Sequence, residues 1–251
     1  MPETASRSAG TATSRGCQQS SSVSGPRPGT TGARTRPYRF RSRIGVGLAG
    51  GFYPAPHRYD LYLSASCPRS LRISITLRLL GLEDSVATTL LTHPGETPEA
   101  FASLRGAYEA TVYHYDGPLT APALRDRWSG RIVSNRTTDI LHDLAGPLSG
   151  TDGACLSALH PPALAPDIDT LRDLLDRHLT PAAQPAGRSG ALSLLEHQLS
   201  RTAYALGEDL TAADVDLWVA LVPLGPAGAL GPYPRLREYV HRLGDHPAFR
   251  H

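Results

Sequence analysis

Apolar and polar positions change period along this chain, and the change divides it. From Tyr59 to Ser64 (YDLYLS) aromatic or apolar residues alternate with polar ones, the two-residue period of a strand. A helical stretch follows at once, opened by Pro68 in the first turn, where a missing N–H costs nothing. Leu71, Ile75 and Leu79, with Ile73, Leu77 and Leu80, place apolar side chains on more than one face of that helix, which predicts burial on both sides, and Gly81 supplies a stop. A second strand is expected over Val86 to Leu91 and a helix over Pro98 to Ala110. Two short strands, near Ala121 to Asp126 and Arg131 to Ser134, then flank a turn at Gly130, and RTTDILHDLAG makes a helix ending at Gly146.

Past about residue 150 the period is helical throughout. Ile168, Leu171, Leu175 and Leu179 share one face, and Leu192, Leu195, Leu199, Ala203 and Leu206 share another, with TPAAQPAGRSG between them as a linker. Thr211 stands where it would cap the next helix, with Asp214 three residues on to reach back and Leu210 and Val215 to staple across the cap. Tyr239, Val240 and Leu243 fit a last helix closing near Pro247. The order β-α-β-α-β-β-α is that of a thioredoxin-like α/β domain, here followed by an all-α domain. Residues 1–37 are Ser, Thr, Gly, Arg and Pro with little to bury and read as a disordered arm. The expected division is therefore 1–37, 38–147 and 148–251.

Composition narrows the function classes. The chain has 251 residues with 25 basic and 23 acidic side chains, so a net charge of +2 argues for neither nucleic acid nor a membrane surface as partner. No run reaches the ~18 apolar residues of a membrane span, no apolar signal segment opens the chain, and a cytoplasmic protein is the default expectation. Every basic residue is Arg, and Asn135 is the only Asn, a skew that suggests GC-rich coding. Cys17, Cys67 and Cys155 are odd in number and widely spaced, which is neither a disulfide framework nor a zinc site. The histidines show no metal-ligand spacing, and no metal is expected. Trp128 and Trp218 read as packing residues.

The strongest chemical signal is strand, then Cys67-Pro68, then helix. A thiol at a helix N-terminus faces unpaired N–H groups and the positive end of the dipole, which favours the nucleophilic thiolate. The local pattern is C-x-x-S, with Ser70 where a dithiol oxidoreductase carries its second cysteine, so a mixed disulfide on Cys67 needs an outside thiol for release. The competing reading is a small buried residue that merely begins a helix. Arg72 either adds positive charge or points to solvent. Pro122 either opens an edge strand in the ordinary trans form or is the cis-proline that thioredoxin-like domains place beside the active cysteine. The hydroxyls of Thr137 and Thr138 either hold a ligand carboxylate with the helix N–H groups or only cap the helix.

Together these segments resemble the glutathionyl-hydroquinone reductases, the Xi class (omega-like) of glutathione transferases. The runs GGFYPAPHRYDLYLSASCPRSLRISITLRLLGLEDSVATTLLTHP and AYEATVYHYDGPLTAPALRDRWSGRIVSNRTTDI carry the likeness over residues 50–146, and GEDLTAADVDLWVALV is similar to that family's helix-capping segment. The resemblance implies a glutathione-transferase-type helical domain behind the thioredoxin-like one. It implies that Cys67 forms the mixed disulfide with the thiol, that Pro122 is the cis-proline with Ala121 pairing the cysteinyl backbone, and that Thr137 holds the γ-glutamyl carboxylate. It also marks departures. The family's Cys-Pro-Trp-Ala-His-Arg is Cys67-Pro68-Arg69-Ser70-Leu71-Arg72 here, and the acidic residue expected to meet the ligand ammonium is Arg136.

The resulting expectation is a cysteine-dependent thiol transferase or reductase, removing or adding a low-molecular-weight thiol on a quinol-like or other small aromatic. Arg69, Arg72, Ala121, Pro122, Arg136, Thr137 and Thr138 would bind the thiol. Glutathione is the family's thiol; two arginines near its ammonium are repulsive. Mycothiol, the acetylated sugar thiol common in high-GC actinobacteria, is therefore the alternative co-substrate. The competing expectation is a degenerate transferase fold kept as a binding or interaction module. The resemblance allows a homodimer.

Overall fold

The computed structural model describes residues 38–45, 51–149, 159–180 and 182–250. The arm at 1–37 with Cys17, and the loop with Cys155, lie outside the described residues.

Four strands, β1 (Tyr59–Ser64), β2 (Ala87–Leu91), β3 (Ala123–Asp126) and β4 (Ile132–Ser134), form one sheet in the order β2-β1-β3-β4. β1 runs parallel to β2 and antiparallel to β3, and β3 is antiparallel to β4. The alternation in β1 predicts a strand and leaves open what covers its polar face. The strand is buried on both faces, because helices cover both. Tyr59, Leu61 and Leu63 pack on α1 (Pro68–Leu79) and α3 (Thr137–Ala145) through Ile73, Leu77, Ile140 and Leu144. Tyr62 packs the opposite way, on Leu104, Ala107 and Tyr108 of α2 (Pro98–Thr111). The polar residue on that second face, Asp60, is accommodated by a two-pronged bond from Arg125 (Nε–Oδ1 3.1 Å, Nη2–Oδ2 2.7 Å). Residues 40–42 cover the edge of β4, with Arg41 bridging Ser134 and the Ser42 N–H donating to the Val133 carbonyl.

The helical half consists of α4 (Ala165–His178), α5 (Pro185–Leu199), α6 (Ala212–Leu221) and α7 (Pro234–Asp245), with a short 3-10 turn at Pro247–Phe249. Its core joins Ile168, Leu171 and Leu175 to Leu192, Leu195, Val215, Leu236, Tyr239 and Phe249, and Ile75 of α1 reaches into it. The two apolar faces of α1 are thus shared between the sheet and the helices, as its sequence predicts. Gly81, at φ +65°, takes the left-handed turn that ends this helical segment.

Two expectations in this half need correction. The stretch taken for a linker is largely helix, since α5 begins at Pro185. Gly187 lies in its first turn, where a Cβ would come 2.9 Å from Nδ1 of the His178 ring, so the His178 side chain of α4 rests against this glycine. The helix also stops at Leu199, so Ala203 and Leu206 lie beyond it, and Ala205 is the buried residue of that loop. The cap on α6 matches the pattern. The Thr211 N–H donates to Asp214 at 2.8 Å, and the carboxylate also takes bonds from the Ala205 N–H and the Tyr239 hydroxyl, each at 2.7 Å. Trp218 is buried as expected. Trp128 is 63% exposed, with its ring over the Arg58 guanidinium at 4.6 Å.

Candidate active site

The sheet register brings the predicted residues to one end of the molecule. Tyr62 of β1 pairs with Ala123 of β3, so the loop leaving β1, which holds Cys67, lies beside the loop entering β3, which holds Ala121 and Pro122. Leu124 pairs with Ser134, the last residue of β4, so the turn that starts α3 with Arg136, Thr137 and Thr138 opens at the same end. The Ala121–Pro122 peptide is cis.

Cys67 is the cap residue of α1, with extended backbone and its carbonyl accepting the Leu71 N–H at 3.0 Å. The side chain is half-buried. Burial pushes its pKa up, but the influence of the Ser70 N–H, and then of the Arg69 guanidinium and N–H, on the thiolate outweighs it, holding the thiol below its ordinary value. Arg69 is therefore a thiolate partner, supplied by the position where the family has tryptophan.

Ser70 has a different task from that of a second catalytic group. Its hydroxyl accepts the Ser64 N–H at 2.9 Å in a buried setting, fixing the end of β1 against the first turn of α1. Arg72 does neither thing expected of it, since it faces α6 and forms an ion pair with the buried Asp216. None of the groups that hold the Cys67 thiol down is Arg72.

At the third loop the cap of α3 is Arg136 itself, whose N–H donates to the Ser134 hydroxyl at 3.1 Å. Thr137 and Thr138 occupy the first two helical positions, so capping does not account for them. Their N–H groups are among those an α-helix leaves unpaired. Asp139 adds a carboxylate in the same turn.

A hydrogen-bonded set that the sequence pattern did not reveal ties two of these loops, the one entering β3 and the one starting α3, to α2. The Tyr108 hydroxyl lies 2.7 Å from the Thr120 hydroxyl, and Asn135 Nδ2 donates to that same Thr120 oxygen at 3.3 Å. Thr120 directly precedes Ala121, and Asn135 directly precedes Arg136, so these are positioning residues for both ligand loops. The chain's lone Asn was the available signal, since its position just before a helix cap suggests a loop fastener. Among the described residues no group of three or more His, Cys, Asp or Glu could hold a metal ion, and no helix is long and apolar enough to cross a membrane.

The chain is similar to known proteins in sequence and fold. Residues 66–146 match the glutathione S-transferase N-terminal domain family and residues 182–242 its C-terminal domain family. The chain is 28% identical over 207 residues to the glutathionyl-hydroquinone reductase YqjG of Escherichia coli, covering 70% of this chain and 63% of that protein's length. It is 26% identical over 246 residues to the glutathionyl-hydroquinone reductase PcpF of Sphingobium chlorophenolicum, covering 83% of this chain and 78% of the relative. Among solved structures, the glutathione S-transferase Xi of Phanerochaete chrysosporium superposes with a TM-score of 0.66 at 25% identity, over 86% of this chain and 87% of that one.

Proposed function

This chain belongs to the glutathione transferase family as a divergent member of its Xi class, and from that premise we propose that it is a cysteine-dependent thiol transferase or reductase. The observation that carries the reading is the Cys67 sulfur, half-buried at the N-terminus of α1, with its pKa held down against the effect of burial. Residues 38–147 form the thiol-binding domain and residues 148–251 the helical domain behind it. The protein works in the cytoplasm and needs no metal.

In the reaction the Cys67 thiolate attacks the sulfur of an aryl thioether formed between a small thiol and a quinol-like aromatic. A Cys67–sulfur bond forms as the carbon–sulfur bond breaks, and the aromatic carbon takes the electron pair and a proton. A second molecule of the thiol, as thiolate, then attacks the mixed disulfide. It leaves as the symmetrical disulfide and returns Cys67 to thiolate, so one free thiol is consumed, and its sulfur and the thioether sulfur give up the two electrons that reduce the aromatic carbon. Ser70 cannot resolve the intermediate internally, because a hydroxyl forms no disulfide and this one is bonded to the Ser64 N–H.

The bound thiol lies along the loop ends. Ala121, beside the cis-Pro122, pairs with its cysteinyl backbone, and the start of α3 with Thr137 and Thr138 receives an acceptor group. Arg69 and Arg136 favour a thiol without an ammonium at that end, and mycothiol is such a thiol. Intact mass after incubation with glutathione disulfide and with mycothiol disulfide tests the reading. The expected result is a single adduct on Cys67, absent from Cys67→Ser and larger in yield with mycothiol. No adduct with either disulfide overturns the catalytic reading and leaves a non-catalytic binding module.

A further inference from the structure

Phe40 lies 95 residues ahead of Asn135 and outside the span matched by the N-terminal domain family, which begins at residue 66. Its backbone nevertheless grips the start of α3. The Phe40 N–H donates to Asn135 Oδ1 at 3.0 Å, and the Phe40 carbonyl accepts the Asn135 N–H at 3.4 Å and the Ser134 hydroxyl at 3.1 Å. That same Ser134 oxygen accepts the N–H of Arg136, the cap of α3, at 3.1 Å, so one buried hydroxyl joins Phe40 to the cap. Asn135 Nδ2 donates to the Tyr38 carbonyl at 2.8 Å as well as to Thr120 Oγ1.

Two further anchors hold this strap across the sheet edge. The Phe40 ring meets Tyr108 of α2 edge-on, with 5.4 Å between centroids. On the other face Arg43 Nε and the Ile44 N–H donate to the fully buried Asp143 of α3, at 2.7 Å and 3.3 Å. A strap that only covered the edge of β4 would need no more than backbone pairing such as Ser42 N–H to the Val133 carbonyl. Instead its bonds converge on Ser134 and Asn135, the two residues before the cap of α3, and through Asn135 on Thr120, the residue before Ala121. These are the two loops that hold the thiol in the reading above. Misplacing such a loop by about 1 Å is enough to cost a reaction about 100-fold.

We propose that residues 38–44 are part of the thiol site, with Phe40 as a positioning residue that acts through Asn135 and Ser134 on the start of α3 and on the Ala121 loop. The proposal rests on those two loops binding the thiol. The strap does not hold Cys67 itself, whose thiolate is favoured by Ser70 and Arg69 of α1. It therefore governs a large ligand that must lie along both loops, and not a small reagent that needs only the sulfur.

Two rates at Cys67, measured on the full chain by intact mass, test this. Iodoacetamide needs only the thiolate. Transfer from glutathione disulfide or mycothiol disulfide, whichever modifies the unmodified protein faster, needs both loops. Asn135→Ala should slow the disulfide reaction about tenfold or more and iodoacetamide by less than about twofold. Phe40→Ala should slow the disulfide reaction about three- to tenfold with the same split between reagents. Combining the two should slow it no more than about twofold beyond Asn135→Ala alone, because Phe40 acts through Asn135. Phe40→Leu, which keeps part of the buried contact, takes the place of Phe40→Ala in both measurements if circular dichroism shows the latter unfolded. A strap that only covers the sheet edge would lower the melting temperature and leave the ratio of the two rates unchanged. That unchanged ratio in folded variants, equal slowing with both reagents, or effects that multiply in the double variant overturn the proposal. Alkylation of the unmodified protein by iodoacetamide with no transfer from either disulfide overturns the thiol reading itself, and this proposal with it.

Discussion

Replacing Asp214 with Asn changes one atom of a side chain that is fully buried and organises the start of α6. Its carboxylate accepts four donors: the Ala205 N–H and Tyr239 hydroxyl on one oxygen at 2.7 Å each, and the Thr211 N–H at 2.8 Å and hydroxyl at 3.2 Å on the other. Burial and the neighbouring Asp214 carboxylate raise the Tyr239 pKa well above its ordinary value, so this phenol remains a donor at any working pH. Asn retains one acceptor oxygen. If that oxygen keeps Ala205 and Tyr239, the new amide N–H₂ faces the Thr211 N–H, while the Thr211 hydroxyl can turn to accept. The net loss is one buried unpaired N–H, about 1–3 kcal/mol, plus the charge assistance of the remaining bonds, about 1 kcal/mol more. We expect a loss of about 3 kcal/mol, which for a chain of this size lowers the melting temperature by roughly 6–12 °C. Urea unfolding followed by the fluorescence of buried Trp218 should move to a lower midpoint without a change of slope. Tyr239→Phe alone should cost about 1 kcal/mol, and the double variant should lose less than the sum, because the two share a bond. A loss below about 1 kcal/mol for Asp214→Asn would refute the assignment of Asp214 as the organiser of this helix start.

The remaining predictions concern the site and its support. Iodoacetamide alkylation of Cys67 should follow a titration with its midpoint below the free-cysteine value of roughly 8.5, and Arg69→Gln should move that midpoint upward; a midpoint at or above 8.5 in the unmodified protein argues against a catalytic thiol. Arg136→Glu should shift the ratio of glutathione to mycothiol turnover towards glutathione by about three- to tenfold, measured as kcat/KM with each thiol, and an unchanged ratio would mean that Arg136 does not meet the ligand. Asp126 is buried, which pushes its pKa up, but bonds from Arg58 and Ser129 outweigh this and hold it below the unfolded carboxylate value of about 3.9. Because the folded pKa is the lower one, its contribution is fully present above about pH 5 and is lost as pH falls through the folded value. Asp126→Asn should therefore cost about 3 kcal/mol at neutral pH, and the difference from the unmodified protein should shrink in acid; a gap that widens on acidification refutes the sign.

The sequence by itself determined the element order, the strand–Cys67–helix junction and the cap at Thr211, because each depends on a period or on residues a few positions apart. Backbone geometry makes such patterns readable: β1 alternates because strands do, and Pro68 stands where a helix needs no N–H. Resemblance added the correspondence of Cys67, Pro122 and Thr137, again through short runs. Only the tertiary structure decided what depends on partners distant in the chain. Burial of β1 on both faces required α2 and Arg125, 65 residues away from Asp60. Ser70 looked like the remnant of a dithiol until its hydroxyl was found holding the Ser64 N–H. Gly187 sits in a stretch that reads as linker, yet it is part of α5, with the His178 side chain of α4 against it. Arg72 had a place near Cys67 in sequence, but Asp216 on α6 draws its guanidinium to the other side of α1. A charged side chain that must be buried goes to its counter-charge, and that counter-charge is far along the chain and close only in the folded molecule.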